Sequence, residues 1–127
     1  MKYKNLLVID DDADDLEFFS NAIKTIGQPF NCMYYNNSTN AHSALVSRTI
    51  AADAIFLDLN MPGMTGQEFL TKIKADPELS LIPVYILSTS DQATIIVEMK
   101  NLGADDFFVK PARPAELVTL IKNIVLK

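Results

Sequence analysis

A chain of 127 residues with 49% apolar side chains can build one domain around a real hydrophobic core, which excludes a largely disordered polymer. Sixteen acidic against eleven basic residues leave a formal charge of -5, a balance that argues against non-specific binding to nucleic acid or to an anionic membrane. The single cysteine, Cys32, excludes an internal disulfide and a multi-cysteine metal centre. No signal-peptide pattern or membrane-length apolar run is present, so the expected location is the reducing cytoplasm.

The chain opens with "NLLVI", Asn5–Ile9, a short apolar run that reads as a buried strand. Leu16, Phe19, Ile23 and Ile26 follow at helical spacing, and Gly27 supplies a stop. "FNCMYY", Phe30–Tyr35, alternates less cleanly and reads as an edge strand, with Cys32 a buried or half-buried thiol inside it. Ala41, Ala44 and Leu45 carry a weaker helical stripe that Ser38 or Thr39 can cap, and the lone His42 on this helix reads as an ordinary surface residue. "AIFL", Ala54–Leu57, is a third strand; Phe69, Leu70 and Ile73 mark a third helix ending before Pro77. "VYIL", Val84–Leu87, is the fourth strand, followed by a helix that Asp91 can cap and that runs to about Leu102 before Gly103. "DFFV", Asp106–Val109, is the fifth strand. Pro114 then opens a helix whose inner face is Leu117, Leu120, Ile121 and Ile124.

Five strands alternating with five helices imply right-handed crossovers and an α/β doubly wound parallel sheet. Ligand sites in such sheets lie beyond the carboxyl ends of the strands, where the winding reverses. That rule collects Asp10, Asp11 and Asp12 from the first strand, Asp58 from the third, Ser88 and Thr89 from the fourth, and Lys110 from the fifth. The stretch "LLVIDDDADD", Leu6–Asp15, thereby gains a reason: packed carboxylates repel unless a counter-charge joins them, and this knot is one wall of a site.

Clustered carboxylate oxygens suit Mg²⁺, which also takes water and phosphate oxygens. Asp11 and Asp58 are the best ligand pair, Asp10 acts directly or through water, and the Asn60 backbone carbonyl can add a ligand. Ser88 and Lys110 face the same place as a hydroxyl and an ammonium, which suits a phosphoryl group. No "GxxxxGK[ST]" or "GxGxxG" occurs, and no nucleophile–histidine–acid set is available. The remaining nucleophile is a carboxylate, and Asp58 at the tip of the central strand is the candidate for an acyl phosphate.

With those residues in place, the chain resembles the receiver domain of two-component response regulators, including the chemotaxis response regulator, over essentially its whole length. "LLVIDDDADD" is similar to the acidic-pair motif and puts Asp10 and Asp11 at metal-binding positions. "DAIFLDLNMPGMTG", Asp53–Gly66, is similar to the phosphoacceptor motif, with Asp58 as acceptor and Asn60 as carbonyl ligand. "IPVYILSTSD", Ile82–Asp91, brings Ser88 to the hydroxyl position, and "GADDFFVKP", Gly103–Pro111, brings Lys110 to the lysine position. "KIKADPELSLIPVYILSTSD" looks most like stand-alone receivers of the phytochrome-associated type.

The resemblance implies a flavodoxin-like sheet of order 2-1-3-4-5, one receiver domain over residues 1–127, and a cis peptide at Lys110–Pro111. It implies a phosphorylation-dependent signalling receiver that takes a phosphoryl group from a sensor histidine kinase or histidine phosphotransfer protein, with Mg²⁺ and with Mn²⁺ able to substitute. Such a protein is not a conventional enzyme; it catalyses only its own phosphorylation and dephosphorylation at Asp58. Ser88 stands where threonine is more frequent, and Phe107 stands at the switch aromatic, often tyrosine. With only Lys127 after the fifth helix, the expected output is a surface for a downstream protein or a second copy, carried by Ile95, Ile96, Met99 and Phe107, with Val97 beside them. Two other readings stay open. A phosphorylation-independent receiver-like interaction domain would not need the set Asp10, Asp11, Asp58, Ser88 and Lys110. A small-molecule phosphatase of the aspartate-nucleophile type needs a "DxD" acid where this chain has Asn60.

Overall fold

A computed structural model describes residues 2–127. The strands are β1 (Asn5–Ile9), β2 (Asn31–Tyr35), β3 (Ala54–Leu57), β4 (Val84–Ser88) and β5 (Asp106–Val109). The helices are α1 (Ala13–Ile26), α2 (Ser38–Val46), α3 (Gly66–Ala75), α4 (Ala93–Asn101) and α5 (Pro114–Val125), with a 3-10 turn at Leu79–Leu81. All strand pairs are parallel, in the order β2-β1-β3-β4-β5. This is the doubly wound arrangement expected from the alternation of apolar runs and helical stripes.

The apolar runs are continuous because the sheet is covered on both faces. Successive side chains of a strand point to opposite sides. Leu7, Ile9, Ile55, Leu57, Val84 and Ile86 therefore join Phe69, Leu70, Ile73 and Met99 in one core. Leu6, Val8, Ala54, Phe56 and Leu87 join Phe19, Leu117, Ile121 and Val125 in the other. Phe56 anchors the second core, with ring centroids 5.0 Å from Phe19 and 5.7 Å from Tyr85.

The edges depart from the sequence reading. β5 closes the sheet and is only half-buried, with Val109 exposed, because an edge strand has a neighbour on one side only. The cap of α4 is Gln92 rather than Asp91, and no side chain hydrogen bonds there; Asp91 is exposed. Asn37, rather than Ser38 or Thr39, caps α2, its side chain accepting from the Asn40 N–H at 2.8 Å, while Ser38 is buried. Among the described residues no peptide bond is cis, so Lys110–Pro111 is trans, contrary to expectation. Trans is the lower-energy isomer for an X–Pro bond by about 0.5–1 kcal/mol. No helix among the described residues is long and apolar enough to cross a membrane.

Candidate functional site

The winding of the sheet reverses between β1 and β3, and the loops leaving these strands splay apart to leave a crevice at their carboxyl ends. Asp10 follows β1 directly, its N–H held by the Tyr35 carbonyl at 3.1 Å; Asp58 follows β3, its N–H held by the Ile9 carbonyl at 3.0 Å. Both are buried, whereas Asp11 is exposed. One carboxylate oxygen from each of Asp10, Asp11 and Asp58 lies within 4.8 Å of the others. Three such oxygens, two of them buried, form an all-oxygen donor set that fits a divalent cation.

α3 fixes the loop after Asp58. Thr65 and Glu68 make a capping box at its start, and the Gly66 N–H donates to the Leu59 carbonyl at 3.2 Å. A side chain at Gly66 would stand 2.8 Å from the Asp58 carbonyl oxygen and 2.7 Å from Leu59 Cα. The helix can approach this close only with glycine there.

Lys110, the residue after β5, reaches across the end of the sheet. Its Nζ donates to Asp10 Oδ2 at 2.8 Å and to Asp15 Oδ2 at 2.7 Å, and lies 3.3 Å from Asp58 Oδ1. Burial pushes Asp10 up to about 6, against the opposing hydrogen bonds from Lys110 and the Asp12 N–H. Burial likewise raises Asp58; Lys110 counteracts this and the charge of Asp11 adds to it. For Lys110, burial alone lowers the ammonium, but the hydrogen bonds to Asp10 and Asp15 and the charges of Asp10 and Asp58 outweigh it and hold it above its ordinary value.

Ser88, the last residue of β4, is fully buried, and its hydroxyl accepts from the Ser90 N–H at 3.2 Å. Asn60 is exposed, two residues past Asp58. Phe107 is half-buried against the core that includes Met99. Met99 itself is 0% exposed, so it belongs to the core and not to a free surface. The inner stripe of α4 is Ile95, Met99 and Leu102, spaced by four and three, which leaves Ile96 half-buried and Val97 exposed. His42 is half-buried, its ring edge-on to Phe69 at 6.4 Å, and away from the carboxylates.

Asp15 is the residue of this cluster that sequence reasoning missed. An acidic residue in the first turn of a helix reads as a partner for the helix dipole, and nothing local announces a contact 95 positions away. Asp12, also in the acidic knot, is the α1 cap, accepting from the Asp14 N–H at 2.9 Å.

A family model described as the response regulator receiver domain matches residues 6–122. The phosphate regulon transcriptional regulatory protein PhoB of Pseudomonas aeruginosa is 31% identical over 122 residues, covering 96% of this chain and 52% of PhoB. The chain thus spans about half the length of that curated relative. A crystal structure of the phosphorylated cyanobacterial phytochrome response regulator RcpA is 27% identical and superposes with a TM-score of 0.89, covering 98% of this chain and 95% of RcpA. The Mn²⁺-bound form of the response regulator Rcp1 is 25% identical with a TM-score of 0.85, covering 95% of this chain and 91% of Rcp1.

Proposed function

This chain belongs to the response regulator receiver domain family, and we propose that it is a working phosphoacceptor that signals through a switched protein-binding surface. The observation that carries the reading is the convergence of Asp10, Asp11, Asp58 and Lys110 from three strand ends on one crevice. A chain that only bound partners would have no use for two buried carboxylates and a lysine in that arrangement. That RcpA was crystallised phosphorylated and Rcp1 with Mn²⁺ supports the same chemistry here.

In the proposed reaction a carboxylate oxygen of Asp58 attacks phosphorus. The new O–P bond forms as the bond to the donor breaks, and the electron pair leaves with the donor's nitrogen or oxygen. An ionised carboxylate has no proton to lose, so no general base is required. Asp10, Asp11, Asp58 and the Asn60 carbonyl would hold Mg²⁺, with Mn²⁺ able to replace it. When bound, the ion offsets the carboxylate charge and that of the phosphoryl oxygens. Lys110 pairs with a phosphoryl oxygen, and Ser88 turns from the Ser90 N–H to donate to another.

The donor is a sensor histidine kinase or a histidine phosphotransfer protein, acting in the cytoplasm. The output is a downstream protein or a second copy that reads α4 and β5 through Ile96, Val97 and Phe107, since Ile95, like Met99, packs inward on the core. Incubation with Mg²⁺ and acetyl phosphate should add one phosphoryl group, about 80 Da, in base-labile form. Asp58→Asn should remove the adduct entirely. Equal labelling of that variant would assign the nucleophile elsewhere, and an unlabelled parent would leave only the interaction-domain reading.

A further inference from the structure

We propose that Asp15 is a positioning residue that competes for the Lys110 ammonium, which it shares with Asp10 and Asp58, and so limits how tightly the site takes up a phosphoryl group. The proposal rests on the receiver reading above and concerns the regulation of that same site.

The Lys110 ammonium has three protons to donate. Its two hydrogen bonds go to Asp15 and Asp10, at 2.7 and 2.8 Å, while Asp58 stands at 3.3 Å. The shortest contact is therefore to a carboxylate outside the set Asp10, Asp11 and Asp58. Asp15 comes from the first turn of α1, so it approaches Lys110 from an element that carries neither the nucleophile nor the other carboxylates. A role limited to the helix dipole would not require this contact, and Asp14 occupies the same turn without one to Lys110.

The surroundings make the contact matter. Val8, Phe18, Phe19, Phe56, Leu87 and Leu117 line a small cavity of about 40 Å³ whose polar lining is Asp10, Asp15, Asp58 and Lys110. The Lys110 side chain is only 17% exposed, so carboxylates are the main partners of its ammonium. The side chain of Asp15 is 38% exposed, so the pair holds without locking. Anionic oxygens arriving on Asp58 must draw Lys110 from Asp15, and they also meet the Asp15 charge. Both effects have one sign: neutralising Asp15 favours the phosphoryl-bearing state.

The test uses the whole chain with Mg²⁺ and beryllofluoride as the phosphoryl mimic, followed by NMR. Asp15→Asn and Asp15→Ala should each bind beryllofluoride about two- to fivefold more tightly than the parent, the range expected for a partly exposed ion pair. Asp15→Glu should restore the parental affinity, with Mg²⁺ held saturating for every variant so that a change in metal affinity does not enter the comparison. In the metal-free parent, nitrogen-edited spectra should show a slowly exchanging Lys110 ammonium signal that Asp15→Asn abolishes. Unchanged or weaker beryllofluoride binding in the two neutral variants would overturn the proposal, as would an ammonium signal indifferent to Asp15. A parent that neither binds beryllofluoride nor accepts phosphate would instead defeat the receiver reading beneath it.

Discussion

Five aspartates within Asp10–Asp15 divide the work according to what each can reach. Asp10 is buried with a lysine on one oxygen and the Asp12 N–H on the other, at 3.0 Å. Asp12 caps a helix, Asp15 holds Lys110, and Asp11 faces solvent beside the carboxylate-lined crevice. Only Asp10 and Asp58 carry the cost of burial, and that cost sets a pH dependence. In the folded, metal-free protein Asp10 binds its proton with a pKa of about 6, against 3.8 for the ordinary group. Between these values the folded state holds more protons than the unfolded state, so stability rises as pH falls through about 6 and levels off near 4. The gain from Asp10 should be about 2–3 kcal/mol at most. Thermal melts in chelator should therefore show a higher midpoint at pH 5 than at pH 7. A lower midpoint at pH 5 would mean that Asp10 keeps its charge at little cost.

Among the elements, α3 most directly sets the position of Asp58, the proposed nucleophile. Its capping box and the Gly66 approach bring the helix start against the Leu59 backbone, immediately after Asp58. Gly66→Ala should lower stability by about 1–3 kcal/mol, since the new methyl meets backbone and must displace the loop. The same displacement should slow phosphorylation of Asp58 while leaving the core helices formed. Circular dichroism melting and acetyl phosphate labelling check the two halves. A variant with parental stability and parental labelling would show that the loop yields freely. α4 is the contrasting element: it has no side-chain cap, and its outward residues Ile96 and Val97 pack less than its inner stripe. A helix held mainly by one apolar stripe is the natural part to move under the proposed rearrangement of Ser88 and Phe107.

At the scale of the molecule, the site and the proposed output surface lie on neighbouring strands. Ser88 pairs in register with Val109, and Ile86 with Phe107, so the end of β4 and the body of β5 belong to one hydrogen-bonded ladder. If the phosphoryl group draws Ser88 from the Ser90 N–H, the effect should spread to α4 and β5. Beryllofluoride should shift the NMR signals of Ala93–Asn101 and Asp106–Val109 in the parent. Ser88→Ala should keep the mimic bound but lose most of those remote shifts, and with them most of any gain in binding a partner or a second copy, a coupling of about 1–3 kcal/mol. Equal remote shifts in parent and variant would remove Ser88 from the pathway.

The order of elements and the parallel sheet were legible in the sequence, because strands buried on both faces must be apolar throughout and their helices must carry one apolar stripe. The location of Asp10, Asp58 and Lys110 at strand ends was legible for the same reason: each polar residue follows directly on an apolar run. Caps and edges were not. Asn37 and Gln92 begin helices for which the sequence offers Ser38 or Thr39 and Asp91 as caps, since several polar residues in a row give the backbone equal choices. Met99 looked free for a partner because a short apolar helix does not announce its inner face; the packing of α4 against the sheet chose Ile95, Met99 and Leu102. Only the tertiary structure could bring Asp15 to Lys110, because a contact across 95 positions arises from the closing of the sheet and leaves no local pattern in the chain.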